Sequence, residues 1–227
     1  MDPSSRAAHP ERWVVIVTGG GPLGGRAAAA VSALPSAVAV IAADGGLDDA
    51  VAAGLVPTHV VGDLDSLSAA GRMWAYAHGL TIDEHPTAKD LTDTELALAT
   101  AQRLGGTLDG LLVVGGVGER LDHLLGVLLA LGGPNASAFG SVRAVIGDTE
   151  FVVVRPHHRV ELELEAGQTF SVLALHGPCR GVHVSGARWE LDDAALAPTE
   201  ARGVSNVAEG TVAIAVADGV LSVVVPS

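Results

Sequence analysis

Carboxylate side chains follow four separate runs of apolar residues between positions 43 and 123 of this sequence. The four clusters are Ala43-Asp44-Gly45-Gly46, Gly62-Asp63-Leu64-Asp65-Ser66, Lys89-Asp90-Leu91-Thr92-Asp93 and Gly118-Glu119-Arg120-Leu121-Asp122-His123. Carboxylate oxygens are the ligands that Mg²⁺ prefers, whereas Lys and Arg side chains bind phosphate oxygens. Glycines beside them let the backbone approach a ligand closely. Together the clusters predict a divalent metal that holds a polyphosphate.

Asp63 and Asp65 follow the apolar run His59–Val61 and flank Leu64. In extended backbone, side chains two positions apart point the same way, so we expect both carboxylates to face one crevice. Two like charges this close are costly unless a cation compensates them. The alternative is a simple turn before a helix, with Ser66 as the N-cap. Because the other clusters also carry carboxylates, metal or phosphate chemistry is the favoured interpretation.

The third cluster lies where a helix is predicted to begin. Thr92 and Glu95 have the spacing of a capping box, which by itself accounts for these two residues. The cap does not require Lys89, Asp90 or Asp93. A helix N-terminus favours anions, so Lys89 could bind a phosphate while an aspartate binds the metal.

A competing interpretation rests on Gly19-Gly20-Gly21-Pro22-Leu23-Gly24, which follows the first predicted strand. This stretch matches the G-x-G-x-x-G pattern, and Asp44 follows the second strand, as a ribose-binding carboxylate does in dinucleotide-binding folds. A nicotinamide-dependent oxidoreductase is therefore an alternative. Against it, Pro22 stiffens the turn, and the other three carboxylate clusters are left without a role.

A second glycine-rich stretch, Gly115-Gly116-Val117-Gly118, leads into Arg120. Backbone without Cβ atoms can approach a phosphate, and Arg120 offers a bidentate fork. Asp122 and His123 fall in the first turn of the next predicted helix. There Asp122 could instead interact favourably with the positive end of the helix dipole. A histidine such as His123 is more often structural than catalytic.

The elements that position these clusters alternate between strands and helices. Strand-like runs are Trp13–Thr18, Ala37–Ala42, His59–Val61, Leu111–Val114 and Val142–Ile146, and helical spacing occurs at Leu23–Leu34, Leu47–Ala53, Leu67–His78, Thr92–Leu104 and Arg120–Leu131. Continuous apolar strands predict a sheet that is covered on both faces. We therefore expect an α/β domain, with an open, mostly parallel sheet flanked by helices and ligands bound at the carboxyl ends of its strands.

After Asp148 the pattern changes to short strands without a convincing amphipathic helix. These strands are Phe151–Arg155, Val160–Leu164, Phe170–Leu175, Val182–Val184, Thr211–Ala217 and Val220–Val225. They predict a second, all-β domain of the sandwich or barrel type. Trp189 could stack on a flat cationic or heteroaromatic ligand, or could be a core residue of this domain. Ser205 and Asn206 supply small hydrogen-bonding groups in a turn.

Composition sets the broad class of protein. The 227 residues are 48% hydrophobic and carry a formal net charge of −13, which argues against nucleic acid as a partner. A single cysteine, Cys179, excludes an intrachain disulfide and is typical of a reducing compartment. Residues 1–12 contain no apolar leader segment, and no run is long and apolar enough to span a membrane. We expect a cytoplasmic protein that does not associate with membranes.

In this order, the clusters resemble those of the thiamine pyrophosphokinase (thiamine diphosphokinase) family, and the resemblance extends from Gly19 to Val224, including Trp189 and Ser205-Asn206. Two positions depart from the family pattern. Glu119 stands where the family usually has a glycine before the arginine, and Gly126 stands where asparagine often occurs. Both departures concern the phosphate contacts of the second glycine-rich stretch.

The resemblance implies transfer of a pyrophosphoryl group from ATP to the hydroxyl of thiamine, which gives thiamine diphosphate and AMP with Mg²⁺ as cofactor. It implies a nucleotide-binding catalytic α/β domain over residues 1–148, a β-sandwich over 149–227 for thiamine binding and dimerisation, and a homodimer with shared active sites. The expected catalytic residues are Asp63, Asp65, Asp90 and Asp93; the ATP-binding residues Gly20, Asp44, Gly45, Lys89, Arg120 and Asp122; the thiamine-binding residues Trp189, Ser205 and Asn206; and the leading metal ligands Asp63, Asp65 and Asp90, followed by Asp44 and Asp93. A pyrophosphokinase for another heterocyclic alcohol, such as a hydroxymethylpterin, is a further alternative.

Overall fold

The computed structural model describes residues 12–106 and 109–227. The chain forms two compact units, one ending at Asp148 and the other spanning Thr149–Ser227. Among the described residues, no helix has the length and apolar character needed to cross a membrane. The expectation about a leader at residues 1–12 lies outside these ranges, except for Arg12.

The first unit alternates strands and helices, as the sequence predicts. Its strands are β1 (Trp13–Val17), β2 (Ala37–Ala43), β3 (His59–Gly62), β4 (Thr81–Glu84), β5 (Gly110–Gly115) and β6 (Ser141–Ile146). Its helices are α1 (Gly25–Ser32), α2 (Gly46–Ala52), α3 (Ala69–Ala77), α4 (Asp93–Leu104) and α5 (Leu121–Leu131). Strand β4 is missing from the prediction because its sequence, Thr-Ile-Asp-Glu, is short and half-exposed and has no buried apolar run.

The sheet of the first unit has the strand order β4-β3-β2-β1-β5-β6, and every neighbouring pair is parallel. The carboxyl ends of all these strands therefore meet at one edge. The strand order reverses at β1, which has β2 on one side and β5 on the other. In open parallel sheets, such a reversal marks the crevice where ligands bind.

Both faces of this sheet are covered by helices. Strand β1 is fully buried, and alternate side chains from Trp13 to Val17 pack with Ala27 of α1 and Ala50 of α2. Helix α4 packs against β1, β2 and β3. Val14 lies beside Gly105, the C-cap of α4, so the other side of β1 faces this helix. Burial on both sides explains why these strands are continuously apolar.

The second unit is built from antiparallel strands around its own core. They are β7 (Thr149–Val154), β8 (Arg159–Glu163), β9 (Thr169–Leu173), β10 (Cys179–Ala187), β11 (Leu191–Leu196), β12 (Asn206–Ala215) and β13 (Leu221–Val225). Strands β7, β13 and β9 form one group and β8, β12, β10 and β11 another, joined by a short β9–β12 pairing. The core includes the fully buried Phe170, Ile214 and Leu221. The predicted fold class, an α/β unit followed by a strand-rich unit, is confirmed.

Candidate active site

The first unit contains an open cavity of about 820 Å³ at the carboxyl edge of its sheet. The turns after β1, β2, β3 and β5 line it, together with the N-terminal turns of α4 and α5. Every lining residue lies between Thr18 and Ile146. The volume is typical of a pocket for a small molecule or nucleotide.

Three carboxylates from separate elements converge in this cavity. Asp44 follows β2, Asp63 follows β3 and Asp93 begins α4, and each offers an oxygen within 4.8 Å of the others. Asp44 Oδ1 and Asp93 Oδ1 are buried and have no hydrogen-bond partner among the described residues. Acidic oxygens that are buried, close together and without hydrogen bonds fit a divalent cation, because an oxygen-liganded ion would satisfy them.

Asp44 is the most enclosed of the three, with only 8% of its surface exposed. Its backbone is left-handed at φ 46°, which is uncommon for a residue other than glycine and is costly to maintain. Ser66 Oγ donates a hydrogen bond to Asp44 Oδ2. Burial raises the pKa of Asp44, and the nearby charges of Asp93 and Asp63 add to this effect, while the Ser66 hydrogen bond and the Gly45 backbone oppose it. A bound cation would remove this penalty on the ionised form.

Lys89 lies between two of the clustered carboxylates. Its Nζ is 3.1 Å from Asp63 Oδ2, to which it donates a hydrogen bond, and 3.0 Å from Asp93 Oδ1. The second contact is close enough for an ion pair but lacks hydrogen-bond geometry. The hydrogen bond from Lys89 lowers the pKa of Asp63. Burial lowers the pKa of Lys89, but its contacts with Asp93 and Asp63 outweigh burial and raise it overall.

Asp65 and Asp90, the two carboxylates expected to bind the metal together with Asp63, lie outside the cluster. Leu64 has φ 58°, so the backbone between Asp63 and Asp65 is not extended, contrary to the argument from alternation. Asp65 still lines the cavity but lies outside the three-carboxylate cluster. Asp90 is exposed and lies outside the cavity lining. The metal set Asp63, Asp65 and Asp90 therefore stays a prediction, while the geometry groups Asp63 with Asp44 and Asp93.

The capping box predicted at the third cluster is confirmed. Thr92 is the N-cap of α4, and its side chain accepts a hydrogen bond from the backbone N–H of Glu95 at 3.2 Å. Glu95 Oε2 in turn accepts from the backbone N–H of Thr92 at 2.8 Å. The cap fixes the first turn of α4 and so positions Asp93 within the cluster. Ser66, considered as an alternative N-cap for the preceding helix, does not cap it, because Ser68 is the N-cap of α3.

Two glycine-rich turns form one wall of the cavity by packing backbone against backbone. The N–H of Gly118 donates to the carbonyl of Gly20 at 2.9 Å. Gly20 has φ 110°, and a Cβ added to it would lie 2.7 Å from the carbonyl oxygen of Gly116. Close packing of the turns after β1 and β5 therefore explains Gly20, which lies between Gly19 and Gly21 of the dinucleotide-like pattern. Gly45 is similarly confined, since a Cβ there would approach Ser66 Oγ to 3.2 Å.

Arg120 and Asp122 face the cavity as an exposed ion pair. Arg120 donates to both carboxylate oxygens of Asp122, at 3.2 and 2.5 Å, and this contact raises the pKa of Arg120 and lowers that of Asp122. Both of the positions that depart from the family pattern, Glu119 and Gly126, line the same cavity. The space beside Gly126 is open, so a larger side chain would fit there.

In the second unit, Trp189 lies in the turn after β10 with 56% of its surface exposed, which excludes the core role considered above. Asn206 is buried and holds the Trp189 backbone: its Oδ1 accepts from the Trp189 N–H at 3.2 Å and its Nδ2 donates to the Trp189 carbonyl at 2.8 Å. The guanidinium of Arg188 lies 5.5 Å from the centroid of the Trp189 ring. Ser205 is exposed, with a left-handed φ of 59°.

Sequence reasoning missed two positioning roles. It considered Ser66 only as a helix cap, yet this residue hydrogen-bonds Asp44. It considered Asn206 only as a ligand contact, yet this side chain binds the Trp189 backbone. Each pair is separated by many residues, so no local spacing could have indicated the contact.

Comparisons with known proteins agree with this architecture. Residues 31–138 match the family model "Thiamin pyrophosphokinase, catalytic domain", and residues 157–221 match "Thiamin pyrophosphokinase, vitamin B1 binding domain". A search of curated protein sequences gave no match. The fold is similar to the solved thiamine pyrophosphokinase of Bacillus subtilis, with a TM-score of 0.76 at 22% identity over 95% of this chain and 99% of that one.

Two further solved structures have the same fold. A thiamin pyrophosphokinase family protein of Enterococcus faecalis gives a TM-score of 0.76 at 23% identity, covering 95% of this chain and 99% of that one. Yeast thiamin pyrophosphokinase gives 0.69 at 16% identity, covering 96% and 87%. The two family models correspond to the two units in order, and neither alternative function is favoured. The chain belongs to the thiamin pyrophosphokinase family, and its activity is that of a thiamine diphosphokinase.

Proposed function

We propose that this enzyme transfers the pyrophosphoryl group of ATP to the hydroxyl of thiamine in a Mg²⁺-dependent reaction in the cytoplasm. The cluster of Asp44, Asp63 and Asp93 is the observation that carries the proposal. Two of its oxygens are buried without a hydrogen-bond partner among the described residues, and a lysine lies directly beside it. A metal–polyphosphate complex requires oxygen ligands for the metal and a positively charged side chain for the phosphates, and this site has both.

The proposed reaction is a substitution at phosphorus. The thiamine hydroxyl oxygen forms a bond to the β-phosphorus of ATP, the bond from that phosphorus to the α–β bridging oxygen breaks, and AMP leaves with the electron pair. Bound Mg²⁺ would neutralise charge on the phosphates and would be held by Asp44, Asp63 and Asp93. Lys89 and Arg120 bind phosphate oxygens, and the N-terminus of α4 favours the same negative charge. Such transfer depends mainly on positioning and electrostatics, so the site does not require a protein nucleophile.

The proton of the thiamine hydroxyl requires an acceptor. Asp65 lines the cavity and lies outside the three-carboxylate cluster. A carboxylate in that place can accept a proton while the clustered carboxylates bind the cation. We assign this role to Asp65 as part of the proposal.

Thiamine recognition is assigned to the second unit. The exposed ring of Trp189 offers a face for stacking on the aminopyrimidine, and Asn206 fixes the backbone that presents it. Ser205 is exposed in the adjacent turn and can donate or accept a hydrogen bond. Direct contact between Asn206 and the substrate stays a prediction, because its side-chain oxygen and nitrogen already bind the Trp189 backbone.

We further propose a homodimer in which the strand-rich unit of one subunit completes the cavity of the other. Helix α5 supports this proposal, because Leu121, Leu125 and Leu129 are 68%, 45% and 51% exposed and recur every four residues on one face. An apolar stripe of this kind is typical of a surface that a partner covers. The same helix lines the cavity through its other residues, so a second subunit seated on α5 would lie at the mouth of the site.

The reaction is tested with purified protein, ATP, Mg²⁺ and thiamine, by measuring thiamine diphosphate and the nucleotide product. We expect thiamine diphosphate and AMP in equal amounts. ADP as the nucleotide product, or absence of thiamine diphosphate, would contradict the proposal. Thermal shift separates the alternatives, because the protein should be stabilised by ATP–Mg²⁺ and not by NADH.

The shared site is tested by mixing two impaired variants, Asp63→Asn and Trp189→Ala, under conditions of subunit exchange. If Asp63 of one subunit works with Trp189 of the partner subunit, the mixed dimer contains one wholly wild-type site and recovers activity. Mass spectrometry of the intact dimers establishes that exchange has occurred. Mixed dimers without recovered activity would place both residues in the site of a single chain.

A further inference from the structure

Lys89 is the only lysine in the sequence. It lies in the carboxylate cluster, with 15% of its side chain exposed. Its ammonium contacts two of the three carboxylates that we assign to the metal, at 3.1 Å from Asp63 and 3.0 Å from Asp93. The inference below rests on the proposed function, because it concerns how the same site takes up its metal.

The ammonium and a divalent cation would compete for the same oxygens. Asp93 Oδ1, one of the two buried oxygens without a hydrogen bond, is the atom that Lys89 approaches most closely. A dication bound by Asp63 and Asp93 would lie within a few ångströms of Nζ, where like charges repel strongly in a partly buried site. The metal and Lys89 therefore cannot both keep these contacts.

A polyphosphate would resolve the competition. Its oxygens offer the ammonium an alternative anion, and the flexible four-carbon stem of lysine allows Nζ to move to it. The carboxylates are then released to bind the metal that the polyphosphate carries. An arginine would be less suited to this exchange, since its planar fork holds carboxylates in a fixed bidentate geometry.

We propose that Lys89 is an internal counter-cation that keeps free divalent metal out of the carboxylate cluster until a polyphosphate binds. Free metal binds the protein weakly, and the metal enters together with the nucleotide. Lys89 thereby couples the two binding events in addition to contacting phosphate. Removing its charge should strengthen binding of metal alone and weaken binding of the polyphosphate.

The test measures Mn²⁺ binding by electron paramagnetic resonance without nucleotide. We compare the wild type with Lys89→Met, which removes the charge and keeps an unbranched stem, and with Lys89→Arg, which keeps the charge. Arg103→Met is the matched control, because Arg103 pairs with Asp83 outside the cavity lining. We expect Lys89→Met to bind Mn²⁺ at least about tenfold more tightly than the wild type, and both other variants to bind it as the wild type does. Equal or weaker Mn²⁺ binding by Lys89→Met overturns the proposal.

A second measurement uses the folded wild type and so does not depend on any variant. Reductive methylation with ¹³C-formaldehyde labels Lys89 and the N-terminal amine, which gives one lysine signal by nuclear magnetic resonance. We expect Mg²⁺ alone to leave this signal in place, and Mg²⁺ with inorganic triphosphate to shift it. A shift with Mg²⁺ alone shows that free metal displaces Lys89 and overturns the proposal. Failure of the proposed reaction would appear separately, in the thiamine diphosphate assay.

Discussion

The carboxylate cavity of the first unit and the Trp189 turn of the second are built in opposite ways. In the cavity, buried oxygens of Asp44 and Asp93 have no hydrogen-bond partner among the described residues, and the backbone at Asp44 and Leu64 is left-handed. In the turn, the Trp189 backbone is hydrogen-bonded on both sides, while its ring is exposed. The first region has buried acidic oxygens that a cation would satisfy, whereas Asn206 fixes the Trp189 backbone in the second.

The difference indicates how each region contributes to binding. Partly buried carboxylates that lie close together interact strongly with a cation, and removing one of them changes both the binding of the metal and its remaining ligands. An exposed aromatic ring contributes mainly stacking and apolar contact, which is worth much less per residue. Substitutions in the cavity should therefore change turnover by orders of magnitude, and substitutions in the turn should change thiamine binding moderately.

The largest expected effect follows from Asp63→Asn. This change keeps the shape of the side chain but removes the negative charge that contacts Lys89 and is assigned to the metal. We expect kcat to fall roughly a hundredfold or more, because the cluster would no longer hold the metal in place. Steady-state assays over a range of Mg²⁺ concentrations measure the loss.

Asp192→Asn is the control for this substitution, because that carboxylate is 97% exposed on the second unit and pairs with His183. It should leave kcat and the Mg²⁺ dependence at wild-type values. Near-normal turnover of Asp63→Asn would mean that catalysis does not depend on the negative charge of Asp63, which would contradict the contrast drawn between the cavity and the Trp189 turn.

The backbone wall of the cavity gives the next effect. Gly20→Ala places a Cβ 2.7 Å from the carbonyl oxygen of Gly116, at a φ of 110°. Gly21 is a matched control, because its φ is 111° but a Cβ there meets nothing within 4 Å. Strained backbone of this type costs about 1–3 kcal/mol, and we expect Gly20→Ala to lose more unfolding free energy than Gly21→Ala because only it adds a clash. Equal losses in denaturant unfolding would show that the two turns can separate at little cost.

Trp189→Ala tests the second region directly. Loss of a stacking surface should raise the thiamine KM roughly tenfold and leave the ATP KM nearly unchanged. The matched control is Tyr76→Ala on α3, since Tyr76 is another exposed aromatic residue, 66% accessible, in the first unit. An unchanged thiamine KM in Trp189→Ala would remove this residue from the substrate site.

The sequence predicts those features of the two regions that depend on neighbouring residues in the chain. Apolar runs and helical spacing predicted nearly all the elements, and the spacing of Thr92 and Glu95 predicted a capping box that is present. The short strands β4 and β11 were missed, because half-exposed residues such as Thr81–Glu84 and Leu191–Leu196 have no continuous apolar pattern. Pairing with neighbouring strands, rather than their own composition, makes them strands.

The details of the site depended on contacts between distant residues. Sequence reasoning placed Asp63 with Asp65 by assuming an extended backbone, but the left-handed Leu64 breaks that alternation. Asp44 and Asp93 lie with Asp63 instead, because β2 and β3 end and α4 begins at the same edge of the sheet. No local pattern encodes that convergence, although the position of each residue at the end of a strand or the start of a helix was predicted correctly.

The smallest effect expected is that of Thr92→Ala, which removes the N-cap of α4. The Thr92 side chain accepts from the N–H of Glu95 and holds the first turn, where Asp93 lies. Loss of an N-cap costs about 1 kcal/mol, which lowers the melting temperature of a chain this size by about 2–4 °C. Because Thr92 and Asp93 line the cavity, the Mg²⁺ concentration needed for half-maximal activity should increase slightly while the thiamine KM stays the same. Thr92→Ser keeps the accepting oxygen and should restore both the melting temperature and the Mg²⁺ requirement. A change in the thiamine KM of Thr92→Ala would instead show that the carboxylate cavity also affects thiamine recognition, which would contradict the contrast between the cavity and the Trp189 turn.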